Sequence, residues 1–213
     1  MPAASPTNFL LLIGAYLLGS IPFGIILARV FAGADVRAAG SGNIGATNVA
    51  RVAGPLPGIL TLLLDALKGA LAVYIAGRVT DHSSTWMMLA GDASLIGHCY
   101  PIWLRFKGGK GVATALGVFA VLCLPAALSA LLFFLIVVAI WRYVSLGSIA
   151  AAAAMPLLIY FLWAPHHAPP LIVSFGTLFA SSLVIFNHDA NMQRLVEGTE
   201  KRFTLSKSKD DSQ

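Results

Sequence analysis

Val112-Ala-Thr-Ala-Leu-Gly-Val-Phe-Ala-Val-Leu-Cys-Leu-Pro125-Ala-Ala-Leu-Ser-Ala-Leu-Leu-Phe-Phe-Leu-Ile-Val-Val-Ala-Ile-Trp141 carries no charge. A helix that crosses a bilayer needs about 20 apolar residues. Read as one helix, this run gives the chain six crossings. Pro125 removes a backbone donor and disfavours an unbroken helix. The stretch then divides into a short helix over about Val112–Leu124 and a second over about Ala126–Trp141, and the chain has seven crossings.

Charge decides between six and seven, because cytoplasmic loops carry an excess of Lys and Arg. With seven crossings and the N-terminus outside, 12 of the 14 basic residues fall at the inner face. They are Arg29, Arg37, Arg51, Arg105, Lys107, Lys110, Arg142, Arg194, Lys201, Arg202, Lys207 and Lys209. Arg78 lies outside and Lys68 within a span. With six crossings, either the tail or the early loops must place their charges outside.

Working outward, the other spans run over Asn8 to about Ala32, Pro55 to about Val79, about Thr85–Leu104, about Val144–Trp163 and about Pro170–Phe186. The first contains Gly19-Ser20-Ile-Pro22-Phe-Gly24, which predicts a kink. Gly33–Gly54 reads as a polar loop. Ala164–Pro170 reads as an uncharged outer turn, whose His166 and His167 are solvated rather than metal-bound. The expected organisation is one transmembrane domain over residues 1–203 and a polar, disordered cytoplasmic tail over 204–213. The N-terminus lacks the basic start of a cleaved signal peptide.

Composition agrees. Of 213 residues, 58% are hydrophobic and 11% charged, against about 25% charged in soluble domains. A net charge of +5, scattered and without interleaved aromatics, excludes a nucleic-acid groove. Cys99 and Cys123, both beside apolar runs, form neither a disulfide framework nor a zinc pattern.

The seven-span topology gathers three polar segments on one side: Gly40–Arg51, Arg105–Thr114 and His188–Glu200. Arg105-Phe-Lys-Gly-Gly-Lys-Gly-Val-Ala-Thr114 combines three glycines with three cations, a composition that lets backbone amides and ammonium groups surround a phosphate. Gly40–Asn48 is glycine-rich and polar with hardly any charge. His188–Glu200 reads either as part of a site or as an interfacial amphipathic helix. Asp65 and Lys68, at i and i+3, can pair within the membrane. Arg142 reads as an interfacial anchor, with Ser145 one turn on.

These residues resemble the bacterial acyl-phosphate:glycerol-3-phosphate acyltransferase family of integral membrane enzymes. The matches are Gly19-Ser20 with Pro22-Phe23-Gly24, Arg37 and Gly40–Arg51; Gly97-His98 and Pro101 through Thr114; and His188, Asn191, Arg194-Leu195 and Gly198-Thr-Glu200. Asp65, Lys68-Gly69 and Arg142-Tyr143-Val-Ser145 also fit. The resemblance implies an all-α fold of seven transmembrane helices with the site at the cytoplasmic face of the bacterial inner membrane. It implies transfer of a fatty acyl group from acyl phosphate to the 1-hydroxyl of glycerol 3-phosphate, without cofactor or metal. The implied partners are the two substrates, membrane lipid and a contact with the enzyme that forms acyl phosphate.

On that reading the catalytic set is Lys110, His188, Asn191 and Ser41. The amides of Gly108, Gly109 and Gly111, with Lys110 and Thr114, hold the donor phosphate. Arg51, Lys107 and the loop of Gly40, Ser41, Gly42, Asn43, Thr47 and Asn48 hold the acceptor phosphate, and the two assignments can be exchanged. His188 and Asn191 orient glycerol hydroxyls. Glu200 holds Arg194 or Arg51. Ser20, Arg142, Ser145 and Gly198 complete the substrate-binding set. The base is the substrate's own phosphate, His188 or His98. Two other readings compete. A transporter of an anionic phosphorylated metabolite predicts inverted repeats and polar groups near the midplane. A membrane scaffold leaves the glycine setting of Lys110 without a reason.

Overall fold

Proline and glycine cut the apolar chain into helices. The computed structural model describes residues 5–163 and 167–202. His166 and the boundary of the polar tail lie outside the described residues. Within them are ten α-helices: α1 Pro6–Gly19, α2 Phe23–Ala32, α3 Ala46–Ala53, α4 Pro55–Val79, α5 Ser84–Cys99, α6 Val112–Leu122, α7 Leu124–Trp141, α8 Val144–Leu162, α9 Leu171–Phe186 and α10 Asp189–Val196. A single 3₁₀ turn, Ile102–Leu104, follows α5.

Pro22 separates α1 from α2, and Ser20 Oγ turns back to donate to Tyr16 O at 2.8 Å. Pro125 sits in the first turn of α7, after a non-helical Cys123. The long apolar stretch is therefore two helices. The span expected over Thr85–Leu104 stops earlier, at Cys99. Tyr100 precedes Pro101, whose ring disfavours helical backbone at the residue before it. The apolar Ile102–Leu104 that lengthened the sequence reading forms the 3₁₀ turn instead. Within the expected loop 33–54, the end is helical: α3 packs Val49 against Ile25, Ala28, Val36 and Ile44.

The burial pattern is that of a membrane protein. On α4 the inward residues are Gly58, Thr61, Asp65, Lys68, Gly69, Ala72 and Ala76, while Leu56, Ile59, Leu62, Leu63, Leu67 and Leu71 are exposed. Small and polar residues inside with leucine outside is the arrangement lipid selects. Four described segments are long and apolar enough to cross a bilayer: Pro6–Ala32, α4, α7 and α8; α9 with α10, bent by 55°, would make a fifth. α6 is apolar but has 11 residues. At 1.5 Å per residue it reaches about 16 Å, roughly half the hydrocarbon thickness.

α4 is central, touching α1, α2, α3, α5 and α6. α5 packs on α1, α4, α6 and α9, and the series α6, α7, α8, α9 closes the other side. Three connections carry the polar segments singled out in the sequence: the turn between α2 and α3, the loop between α5 and α6, and the segment around α10.

Candidate active site

The loop before α3 is organised by one buried side chain. Asn48 Oδ1 accepts from Ser41 N at 2.8 Å. Its Nδ2 donates to Val36 O at 2.9 Å, Asn43 O at 2.8 Å and Ala39 O at 3.1 Å. Asn43 Oδ1 accepts from Gly45 N at 2.8 Å and tightens the turn. Gly40 has φ +66, and a Cβ there would lie 2.1 Å from Asn48 Oδ1, so no other residue fits without moving the asparagine. Asn48 is therefore occupied with the loop itself, while Ser41 is exposed and Thr47 half-buried.

The α5–α6 loop is clamped to the end of α5. Gly108 N donates to Cys99 O at 3.0 Å and Gly109 N to His98 O at 3.1 Å. This corrects the expectation that the amides of Gly108 and Gly109 face a phosphate: both are used within the fold. Among the described residues, the amides of Lys110 and Gly111 make no hydrogen bond. Thr114 is fully buried against Gly69, its hydroxyl without a partner among the described residues.

Lys110 Nζ donates to Asn191 Oδ1. Asn191 Nδ2 in turn donates to Glu200 Oε1 at 2.6 Å, and so does Ser145 Oγ, also at 2.6 Å. Arg194 Nε donates to Glu200 Oε2 at 2.7 Å. Of the two cations named for Glu200, Arg194 is the one it pairs with. Gly198 (φ +73) makes the turn that returns Glu200 to α10, where its amide donates to Arg194 O. Glu200 thus fastens α8, α10 and the chain beyond it into one unit. Burial opposes its ionisation, but the hydrogen bonds from Ser145, Asn191 and Arg194 outweigh that and keep its carboxyl below the ordinary range.

Lys110 is pulled the other way. Burial, together with repulsion from Arg194 and Arg51 and against attraction by Glu200, brings its ammonium down to about 8. Arg51 is therefore within electrostatic reach of Lys110. His188 lies beyond the end of α9 and is buried. Its Nδ1 is 2.7 Å from Val184 O. A carbonyl only accepts, so Nδ1 carries the proton and Nε2 holds the free lone pair. Burial is the main cause, with Lys110 adding to it, that lowers His188 to about 4, and the imidazole is neutral at neutral pH.

The structure thus brings together Lys110, Asn191, Arg194, Glu200 and Ser145, with Arg51 and His188 electrostatically coupled to them. Lys107 is exposed elsewhere, in a cleft of about 410 Å³ lined with Arg37, Trp103, Leu104 and Arg105. Arg142 is exposed and takes a left-handed conformation between α7 and α8. Ser20 is buried at the α1–α2 break.

The family model for glycerol-3-phosphate acyltransferase matches residues 9–198. The chain belongs to this family. A glycerol-3-phosphate acyltransferase of Syntrophotalea carbinolica is 52% identical over 195 residues, covering 92% of this chain and 97% of its own. That of Geobacter sulfurreducens is 52% identical over 189 residues, covering 89% and 94%. A crystal structure of PlsY (YgiH), an integral membrane glycerol 3-phosphate acyltransferase in its glycerol 3-phosphate form, aligns with TM-score 0.85 at 42% identity, covering 93% of this chain and 96% of that one. The lysophosphatidic acid form aligns with TM-score 0.83 at 41% identity.

For this member of the acyltransferase family, two features escaped the sequence. One is Val184, whose carbonyl sets the His188 tautomer; its only signal is the i−4 spacing on α9. The other is the meeting of His98 with Asp65 and Lys68, which sit on another helix.

Proposed function

We propose that the chain transfers a fatty acyl group from acyl phosphate to the 1-hydroxyl of sn-glycerol 3-phosphate, giving 1-acyl-sn-glycerol 3-phosphate and phosphate. The observation that carries this is the Lys110–Asn191–Glu200 cluster, with Arg51 and Arg194 beside a neutral His188. Two phosphorylated substrates repel each other. Cations placed close together, Arg194 paired with Glu200 and Lys110 joined to it through Asn191, offset that repulsion and orient both partners.

The hydroxyl oxygen attacks the acyl carbon, the acyl–oxygen bond to phosphate breaks, and phosphate leaves with the electron pair. The hydroxyl proton ends on that phosphate. His188 Nε2 accepts the hydroxyl's hydrogen bond and aims it. At about 4, its lone pair is a weak base at neutral pH. A phosphate whose second ionisation lies at about 6 is better matched to take the proton. His98 is 4% exposed, with its ring against Gly109 and Nδ1 3.6 Å from Asp65 Oδ1, and we assign it no proton transfer.

Lys110, with its own amide and that of Gly111, holds the donor phosphate. Arg51, with Ser41, Asn43 and Thr47, holds the acceptor phosphate on the loop that Gly40, Gly42 and Asn48 shape. Lys107 draws anions toward it. The acyl tail lies along the exposed apolar helix faces and needs no closed tunnel. The chain crosses the bacterial inner membrane seven times, N-terminus outside, with the site at the cytoplasmic face. The distribution of basic residues supports that orientation, and cysteine accessibility at 41 against 82 in intact cells tests it. A contact with the enzyme that forms acyl phosphate is part of the same reading.

Purified protein given acyl phosphate and glycerol 3-phosphate should yield lysophosphatidate. Folded protein with no product refutes the enzyme reading. Equal use of acyl-CoA or acyl carrier protein refutes the donor assignment. No observation favours the transporter reading.

A further inference from the structure

Asp65, Lys68 and His98 are 3%, 2% and 4% exposed. Ionisable groups inside a membrane bundle are costly, and apolar residues would pack there at less expense. Lys68 Nζ lies 2.8 Å from Asp65 Oδ1 on α4, an ion pair one turn apart. The same ammonium donates to Ile21 O at 2.9 Å, in the break between α1 and α2, and stands 5.7 Å from the Phe23 ring. His98, in the last turn of α5, presents Nδ1 to Asp65 Oδ1 at 3.6 Å.

The far edge of that imidazole meets the loop. A Cβ at Gly109 would lie 2.1 Å from His98 Nε2, so the ring rests directly on the Gly109 backbone. The His98 carbonyl also accepts from Gly109 N. Residue 109 is therefore fixed by both the ring and the carbonyl of His98, and Lys110 is the next residue.

We propose that His98, packed between the Asp65–Lys68 pair and the Gly109 backbone, is a positioning residue that sets the place of Lys110 and the amide of Gly111, and that Lys68 ties this corner to the α1–α2 break. The inference rests on the reading of Lys110 as a phosphate-holding residue.

The test measures kcat and the KM of both substrates for wild type, Lys110→Arg, His98→Ala, His98→Gln and the double variant Lys110→Arg/His98→Ala. Each is first shown to be folded by size-exclusion and thermal melting. Lys110→Arg raises the KM of one substrate. His98→Ala should raise the KM of that same substrate about tenfold or more, since small misplacements near reacting groups cost up to about a hundredfold. The other KM should stay within about twofold. His98→Gln, which keeps a polar side chain against the loop, should recover most of the loss. In the Lys110→Arg background, His98→Ala should cost far less than in wild type. If His98→Ala lowers kcat alone, raises the other KM, or costs the same factor in both backgrounds, the inference is overturned. Should His98→Ala not fold, Gly109→Ala, which drives a methyl into the imidazole, takes its place in the same comparison. Folded wild type without acyl transfer removes the functional reading, whereas an active wild type with fully additive losses removes this inference alone.

Discussion

Raising the pH should switch off Lys110 before any other part of the site. Its ammonium titrates near 8, chiefly because it is buried, with Arg194 and Arg51 repelling it and Glu200 attracting it. On the proposed reading, the charged form is the one that holds a phosphate. At pH 7 about nine-tenths of the molecules carry the charge, and at pH 9 about one-tenth. kcat/KM reports the free enzyme, so its alkaline limb should fall about tenfold per pH unit above 8. The gap between 8 and the ordinary 10.5 corresponds to about 3 kcal/mol at roughly 1.4 kcal/mol per pH unit, less whatever solvent screening removes. A bound phosphate recovers that cost by bringing opposite charge to the ammonium. The limb in kcat, which reports the bound complex, should therefore lie at higher pH than the limb in kcat/KM.

The assay is initial-rate release of lysophosphatidate between pH 6 and 10, with donor hydrolysis subtracted. Lys110→Arg keeps the charge at every pH and should lose the limb, although its overall rate falls because a guanidinium does not reproduce the ammonium geometry. A wild-type kcat/KM that is flat to pH 10 refutes the reasoning. So does a limb near 8 that persists in Lys110→Arg. The stability consequence has a definite sign. A base whose folded value is depressed favours unfolding below its unfolded value and ceases to do so as pH rises through 8 to 10.5. Inorganic phosphate should accordingly raise the melting temperature more at pH 7 than at pH 9.5.

Three further outcomes are expected. Asn191→Ala removes the acceptor for Lys110 and a donor to Glu200, and should lower kcat/KM about a hundredfold while folded protein is retained on size-exclusion. Asn48→Asp keeps the acceptor for Ser41 but cannot donate to Val36, Ala39 and Asn43, so it should loosen the loop by about 2–3 kcal/mol, expose residues 36–45 to protease and raise the acceptor KM. In an acid titration, a limb at pH 6 to 7 should survive His188→Asn, because the substrate's phosphate and not the imidazole, at about 4, titrates there. Loss of that limb in the variant would restore His188 as the base.

What the sequence revealed and what it hid follow from the range of the forces involved. The breaks at Pro22 and Pro125 were legible because a proline ring acts on its own neighbours. The end of α5 at Cys99 was available in the Tyr100-Pro101 step, but the hydropathy of Ile102–Leu104 concealed it. Lys110 stood out from its glycines and cations. The fate of the amides around it did not, because Gly108 and Gly109 reach the carbonyls of Cys99 and His98 only through the packing of α5 on the loop. Asn48 looked like one of several polar residues offered to a ligand. Its burial at 2% turns the same groups inward. Asp65 and Lys68 were readable as a helix pair, whereas His98, on another helix, joins them only in three dimensions.

The short α6 explains why the loop is where it is. A full-length span would set the N-terminus of α6 at the bilayer surface. α6 is only 11 residues long and packs along α4, the central helix. Its first turn leaves backbone N–H groups without intrahelical partners and concentrates the positive end of the helix dipole beside Gly111 and Lys110. Glu200, through Asn191, holds the Lys110 ammonium toward α10. A phosphate arriving between them would meet a cation, two free amides and a helix end at once. On the proposed reading, this short helix is the element that seats two charged heads beside the lipid-facing helix surfaces.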